Sequence, residues 1–122
     1  MTEFTLLLRQ VSPSWVKEGR LTSQVFKPTP KDNNRLSAYN GDMISPQDSW
    51  KHWTTVLNLN SVGVLAITVD ECNKQGLAVE CDGDPFPEHS TINFEGLSRR
   101  QQETKAKFLR KFALDRGWRY QP

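Results

Sequence analysis

The chain has 122 residues, 36% of them hydrophobic and 25% charged, with a formal net charge of +2. That length fits one domain, able to bury a single core without metal or disulfide staples. No stretch approaches the roughly 20 apolar residues of a membrane span, and the apolar run 4–8 is too short, and lacks the preceding bases, for a signal peptide.

Composition therefore predicts a cytoplasmic protein with no membrane partner. Four tryptophans and six phenylalanines supply enough large apolar area to argue against disorder. Cys72 and Cys81 are too few for a disulfide framework and read as two free thiols.

Residues 4–11 read as a first strand whose leucine run suggests burial on both faces. Residues 13–19 form a turn or a single helical turn, with Ser12 as cap and Pro13 at the first helical position. Residues 21–26 alternate as a second strand, and 27–34, with two prolines and Asn33-Asn34, read as an exposed connection. A third strand is expected over 35–39, ending at the turn Asn40-Gly41.

Ser45 and Pro46 start a helix predicted to run to about Leu57, with Trp50, Trp53 and Leu57 on one core-facing side and His52 on the solvated side. After a loop at 58–61, the run 62–69 is the strongest strand signal and predicts a central strand covered on both faces. Asp70 is expected to cap a short helix closed by Gly76. Strands follow at 77–81 and 91–94. Ser98 and Gln101 match a capping box, opening a helix that Gly117 stops after Arg116, with Phe108, Leu109 and Phe112 as its buried stripe. The fold class is α+β: a mixed or antiparallel sheet of five to six short strands packed against two main helices, in a single domain.

Charge is unevenly distributed. Residues 70–95 carry seven acids against Lys74, a balance of −6, whereas 98–122 carry eight bases against two acids, a balance of +6. The two blocks are expected to neutralise each other within the fold, or the basic end to face an anionic partner.

The segment 80–90 concentrates acids, two prolines and one of the two histidines. Asp82, Asp84, Glu88 and His89 are residue types suited to acid–base chemistry. Their spacing matches neither zinc-site nor calcium-loop patterns, so no metal and no cofactor is expected. Placed in a strand, His89 shares a face with Thr91 and Asn93, opposite Ile92 and Phe94. Ser23, Ser37 and Ser90 lack a nucleophile-elbow motif, and the acids around Cys81 suppress its thiolate.

The C-terminal helix is a second candidate site. Arg99, Arg100, Lys107, Arg110 and Lys111, with Trp118 and Tyr120 beyond it, combine cations and aromatics as nucleic-acid-binding surfaces do. No helix-turn-helix or RNA-recognition signature accompanies them.

Arg9 with Thr22-Ser23 resembles the arginine and Ser-Thr-Ser positions of ADP-ribosyltransferase-type folds, although no matching glutamate motif can be placed. The layout of Arg9, Pro13, Gly19, Ser23, Phe26, Leu36-Ser37, Gly63-Val64, Pro85, Pro87 and His89 resembles small bacterial proteins of unknown function, which implies no activity to transfer. Two functions are therefore expected. The first is a non-enzymatic binding or accessory protein meeting a protein or nucleic-acid partner through its basic helix and acidic loop. The alternative is a small hydrolase or transferase using His89, the carboxylates of Asp82, Asp84 or Glu88, and Arg9.

Overall fold

A computed structural model describes residues 1–122. Its strands are β1 (Leu6–Gln10), β2 (Val16–Lys17), β3 (Arg20–Leu21), β4 (Arg35–Asn40), β5 (Val64–Thr68), β6 (Ala78–Glu80) and β7 (His89–Asn93). Its helices are α1 (Pro46–Lys51), α2 (Val69–Lys74) and α3 (Arg99–Arg116). Five strands make one sheet in the order β5-β1-β4-β7-β6, every neighbouring pair antiparallel, while β2 and β3 form a separate two-stranded ribbon. The α+β expectation holds, and the sheet is antiparallel throughout.

Alternation along the strands gives each face its own core. Leu7, Leu36, Ala38, Leu65, Ile67 and Ile92 point to one side, where Ala106, Leu109 and Ala113 of α3 cover them. Leu8, Tyr39, Val64 and Ala66 point to the other, against Trp50, Trp53, Phe86 and Tyr120. This second face is unevenly covered. The α1 region lies over the β5-β1 half, and the β4-β7 half is reached by His52 and Trp53, which meet Tyr39, and by Phe86 of the 81–88 loop.

Several elements differ from the sequence expectation, each for a local reason. Residues 21–26 are mostly not a strand: after β3 the chain makes a 3₁₀ turn, Ser23–Phe26, that buries Val25 and Phe26 against α3's side of the sheet. Tertiary burial overrides alternation there. The helix predicted to run to Leu57 is α-helical only to Lys51 and π-helical over His52–Val56, where Leu57 N–H donates to the His52 carbonyl at 3.1 Å. Thr54 and Thr55 hydroxyls donate back to the Trp50 and Lys51 carbonyls at 2.9 and 2.5 Å, competing with the α-helical ladder.

Thr68, not Asp70, caps α2, in a reciprocal capping box with Glu71. The Glu71 carboxylate also takes a two-pronged ion pair from Arg116 at 3.0 Å, fastening the end of α3 to α2. Phe108 is 48% exposed rather than part of the buried stripe of α3, which consists of Gln102, Ala106, Leu109 and Ala113.

The apolar run 62–69 yields β5, which lies at a sheet edge instead of the centre. An apolar run reports covered faces, not neighbours within the sheet. The edge is closed by the C-terminal segment: Val64 N–H donates to Tyr120 O, and Arg119 N–H donates to Val64 O, both at 2.8 Å. Trp118 packs against the core beside Gly63. A Cβ on Gly63 would stand 2.8 Å from Tyr120 O and 2.9 Å from the Trp118 ring. Gly63→Ala is therefore expected to cost about 1–3 kcal/mol and to loosen the last five residues, read as a lower urea midpoint together with earlier carboxypeptidase trimming.

Candidate active site

In β4 and β7 the register sets Ser37 opposite Thr91 and Tyr39 opposite His89. Ser37, Tyr39, His89 and Thr91 thus share the incompletely covered face, and the face assignment made for His89 from sequence holds. The 81–88 loop folds back over this pair of strands. His89 N–H donates to Phe86 O at 3.0 Å, Gly83 N–H donates to His89 O at 3.1 Å, and Phe86 stacks on Tyr39 with ring centres 5.0 Å apart. These contacts carry Asp82 over the histidine.

Asp82 Oδ1 lies 2.7 Å from His89 Nδ1, and Asp82 Oδ2 accepts from the Thr91 hydroxyl at 2.6 Å. On the other side of the ring, His89 Nε2 lies 3.1 Å from Ser37 Oγ. An ionised carboxylate can only accept, so Nδ1 bears the proton and, in the neutral imidazole, Nε2 is left to accept from the serine hydroxyl. Asp82, His89 and Ser37 form one hydrogen-bonded line. His89 itself is only 9% exposed, wedged edge-on against Phe86, whereas Ser37 is open to solvent.

The line opens onto a cleft of about 650 Å³, within the range of small-molecule sites. Arg9, Trp15, Tyr39, Trp53, Phe86 and His89 are among its walls. Arg9 Nε donates to Val25 O at 2.7 Å and Nη1 to Ser37 O at 2.9 Å, while its guanidinium carbon lies 5.0 Å from the centre of the Trp15 ring. Burial pulls the Arg9 pKa down to about 10, partly offset by the charge of Asp32.

Of the acids singled out in the loop, Asp82 alone hydrogen-bonds His89. Asp84 is exposed, and Glu88 contributes its backbone carbonyl to Asn40 N–H at 2.7 Å. His52 is not a solvated surface residue: its Nδ1 shares a hydrogen bond with the Tyr39 hydroxyl at 2.7 Å and its ring meets Phe86 at 4.6 Å. Burial, helped by the charge of Glu88, holds the Tyr39 phenol well above its ordinary pKa, so it stays protonated.

Ser23 turns away from Arg9 and donates to Glu103 of α3 at 2.6 Å, so the positions that resemble ADP-ribosyltransferases do not converge. The cysteines are free. Burial pushes the Cys72 thiol up to about 12, and exposed Cys81 accepts from Asn40 Nδ2 at 3.3 Å.

The second candidate surface is only partly assembled. Arg99, Arg100, Lys107 and Lys111 are exposed and Arg110 half-buried on α3, while Trp118 is half-buried, packed against the core beside Gly63. The acidic loop and the basic helix do not meet, because the sheet lies between them. Of the acids in 70–95, Glu71 reaches α3, through Arg116.

Sequence reasoning set Ser37 aside for want of a motif and gave Thr91 no role. Their one signal was strand alternation, which puts Thr91 beside His89 on a polar face; the partnership of β7 with β4 is a tertiary fact. No protein-family model, curated protein or solved structure matches the chain.

The arrangement has a pH signature. Burial opposes ionisation of Asp82, but the hydrogen bonds from Thr91 and His89 and the attraction of an imidazolium outweigh it, and the carboxyl pKa falls below the usual aspartate range. A carboxyl depressed on folding adds stability above its unfolded pKa of about 3.9 and loses that share as pH falls through the folded value. Asp82→Asn should therefore unfold at lower urea than the parent at pH 7, with the gap closing as the pH is taken toward 2; a gap independent of pH would contradict this assignment.

Proposed function

We propose that the chain is a small hydrolase acting by nucleophilic displacement through Ser37. The observation that supports this reading is the hydrogen-bonded line from Asp82 through His89 to Ser37 at the mouth of a cleft. A serine hydroxyl is a weak nucleophile until a base takes its proton as it attacks. His89 Nε2 is within reach of that proton, and Asp82, steadied by Thr91, fixes the ring orientation and stabilises the imidazolium that forms.

The step balances simply. Ser37 Oγ bonds to the acyl or phosphoryl centre of an ester as its proton passes to Nε2, and the same proton leaves with the departing alcohol. Water then repeats the sequence in reverse, with His89 taking its proton and returning one to Ser37. The Arg9 guanidinium, anchored on the Ser37 carbonyl, brings positive charge to the place where negative charge develops. Two free cysteines suit a reducing, cytoplasmic setting, which belongs to the same proposal.

Hydrolysis of p-nitrophenyl acetate and p-nitrophenyl phosphate tests the reading. Ser37→Ala is expected to lower kcat by roughly 10⁴–10⁶-fold, as loss of a triad's nucleophile does, while leaving the melting temperature nearly unchanged because the side chain is exposed. Turnover unaffected by that substitution, or none by the parent of either ester, would overturn it. His89→Ala is the poorer test, since the ring is packed against Phe86 and its loss would also destabilise the loop.

A partner-binding role is a second reading, favoured by the outer face of α3. Phe108 and Leu114 are 48% and 45% exposed there, amid Lys107, Arg110 and Lys111. Apolar groups flanked by cations suit an acidic protein partner or the bases and phosphates of a nucleic acid. Reversing Lys107, Arg110 and Lys111 to glutamate should weaken capture of single-stranded RNA at low salt; equal capture by parent and variant would eliminate the nucleic-acid form of this reading.

A further inference from the structure

We infer that the cleft recognises its substrate by an anionic group, a phosphate or a carboxylate, seated on Arg9; this names a substrate class for the hydrolase proposed above and rests on it for the word substrate alone. A guanidinium offers five N–H donors in a planar fork. Two of them are committed, from Nε to Val25 O and from Nη1 to Ser37 O, which fix the plane of the group. Nη2 bonds to no protein atom, yet it is not sealed away from the cleft.

The other cations along the same wall already have partners. Lys27 is paired with Glu103 at 2.9 Å and Arg35 with Glu95 at 3.0 Å. Arg9 has no carboxylate in contact, and the nearby Asp32 accepts from the Thr29 hydroxyl at 2.9 Å instead. A half-buried charge is less well hydrated than a free one and favours an acceptor of opposite charge. An arginine held by two carbonyls, stacked on Trp15 and left with free donors toward a cavity therefore lacks an acceptor of opposite charge.

The position also fits the chemistry. Arg9 bonds the backbone carbonyl of Ser37 and lines the same cleft as Ser37 and His89, so an anion on its free donors shares that cleft with the proposed nucleophile. It would be either the scissile phosphoryl group itself or a carboxylate neighbouring a scissile ester. Tyr39, Trp53 and Phe86 line the same cleft and can take an apolar or aromatic remainder.

Inorganic phosphate and sodium acetate, titrated at constant ionic strength against a chloride control, test the inference by thermal shift on the parent and on Ser37→Ala. A saturable rise in melting temperature with phosphate, acetate or both, present equally in Ser37→Ala and at least about tenfold weaker in Arg9→Lys and Arg9→Gln, is expected from the loss of a charge-assisted fork. Phosphate alone assigns a phosphorylated substrate, and acetate alone a carboxylate.

If the Arg9 variants fail to fold, ¹⁵N shifts of the Arg9 side chain during titration of the parent report the same contact. No response of the parent beyond chloride, or a response that survives Arg9→Gln, overturns the anion site. Anion binding without ester turnover would remove the hydrolase reading and leave the site standing; turnover without anion binding would do the reverse.

Discussion

The strands β1 and β4 pair over two residues, Leu7 with Asn40 and Leu8 with Tyr39, and the ladder then ends. Arg9 occupies the place where a third pair would form. Its side chain replaces backbone hydrogen bonds, donating to Ser37 O in β4 and to Val25 O in the 3₁₀ turn beside it. The opening this creates is the cleft, so a sheet that is continuous elsewhere is interrupted where a small molecule could enter. Desolvation lowers the pKa of this half-buried arginine, and titratable groups shifted in this way cluster at functional sites.

The remainder of the architecture supports that opening from both sides. On one face α3 and the Ser23–Phe26 turn lock together through Val25, Phe26 and Leu109, giving a rigid floor behind Arg9. On the other, the π-helical turn lowers His52 and Trp53 onto Tyr39, and Phe86 completes a ring of aromatic contacts that ends at His89. The proposed base is thereby fixed by packing as well as by Asp82. Groups so held lose little freedom when a substrate arrives, which is the condition for efficient positioning.

Electrostatics divide along the same plane. The acids of the 80–90 loop lie over one face of the sheet and the bases of α3 over the other, so their opposite charges remain largely uncompensated by each other. The ion pairs lie elsewhere: Lys27 with Glu103, Arg35 with Glu95, Lys74 with Asp70 and Arg116 with Glu71. The cleft, walled in part by Arg9, Lys27 and Arg35, and the outer face of α3 lie apart and take separate roles in what we propose.

The sequence alone determined what depends on neighbours along the chain. Capping residues and glycine fixed α3 from Arg99 to Arg116, alternation put His89 and Thr91 on one face, apolar runs located β1 and β5, and the Asn40-Gly41 turn located β4, each to within a few residues. It could not determine pairing, since a run of apolar side chains states that its faces are covered but not which strand lies beside it. That is why β5 looked central and lies at an edge, and why Ser37 carried no signal of its own. Only the tertiary structure decided that β4 lies beside β7, 52 residues away in the Ser37–His89 contact, and it alone brought Arg9, Ser37, His89 and Asp82 together. Hydrogen bonds between side chains of distant strands leave no periodicity in a sequence, because the strand register that makes them is set by the burial of the whole sheet.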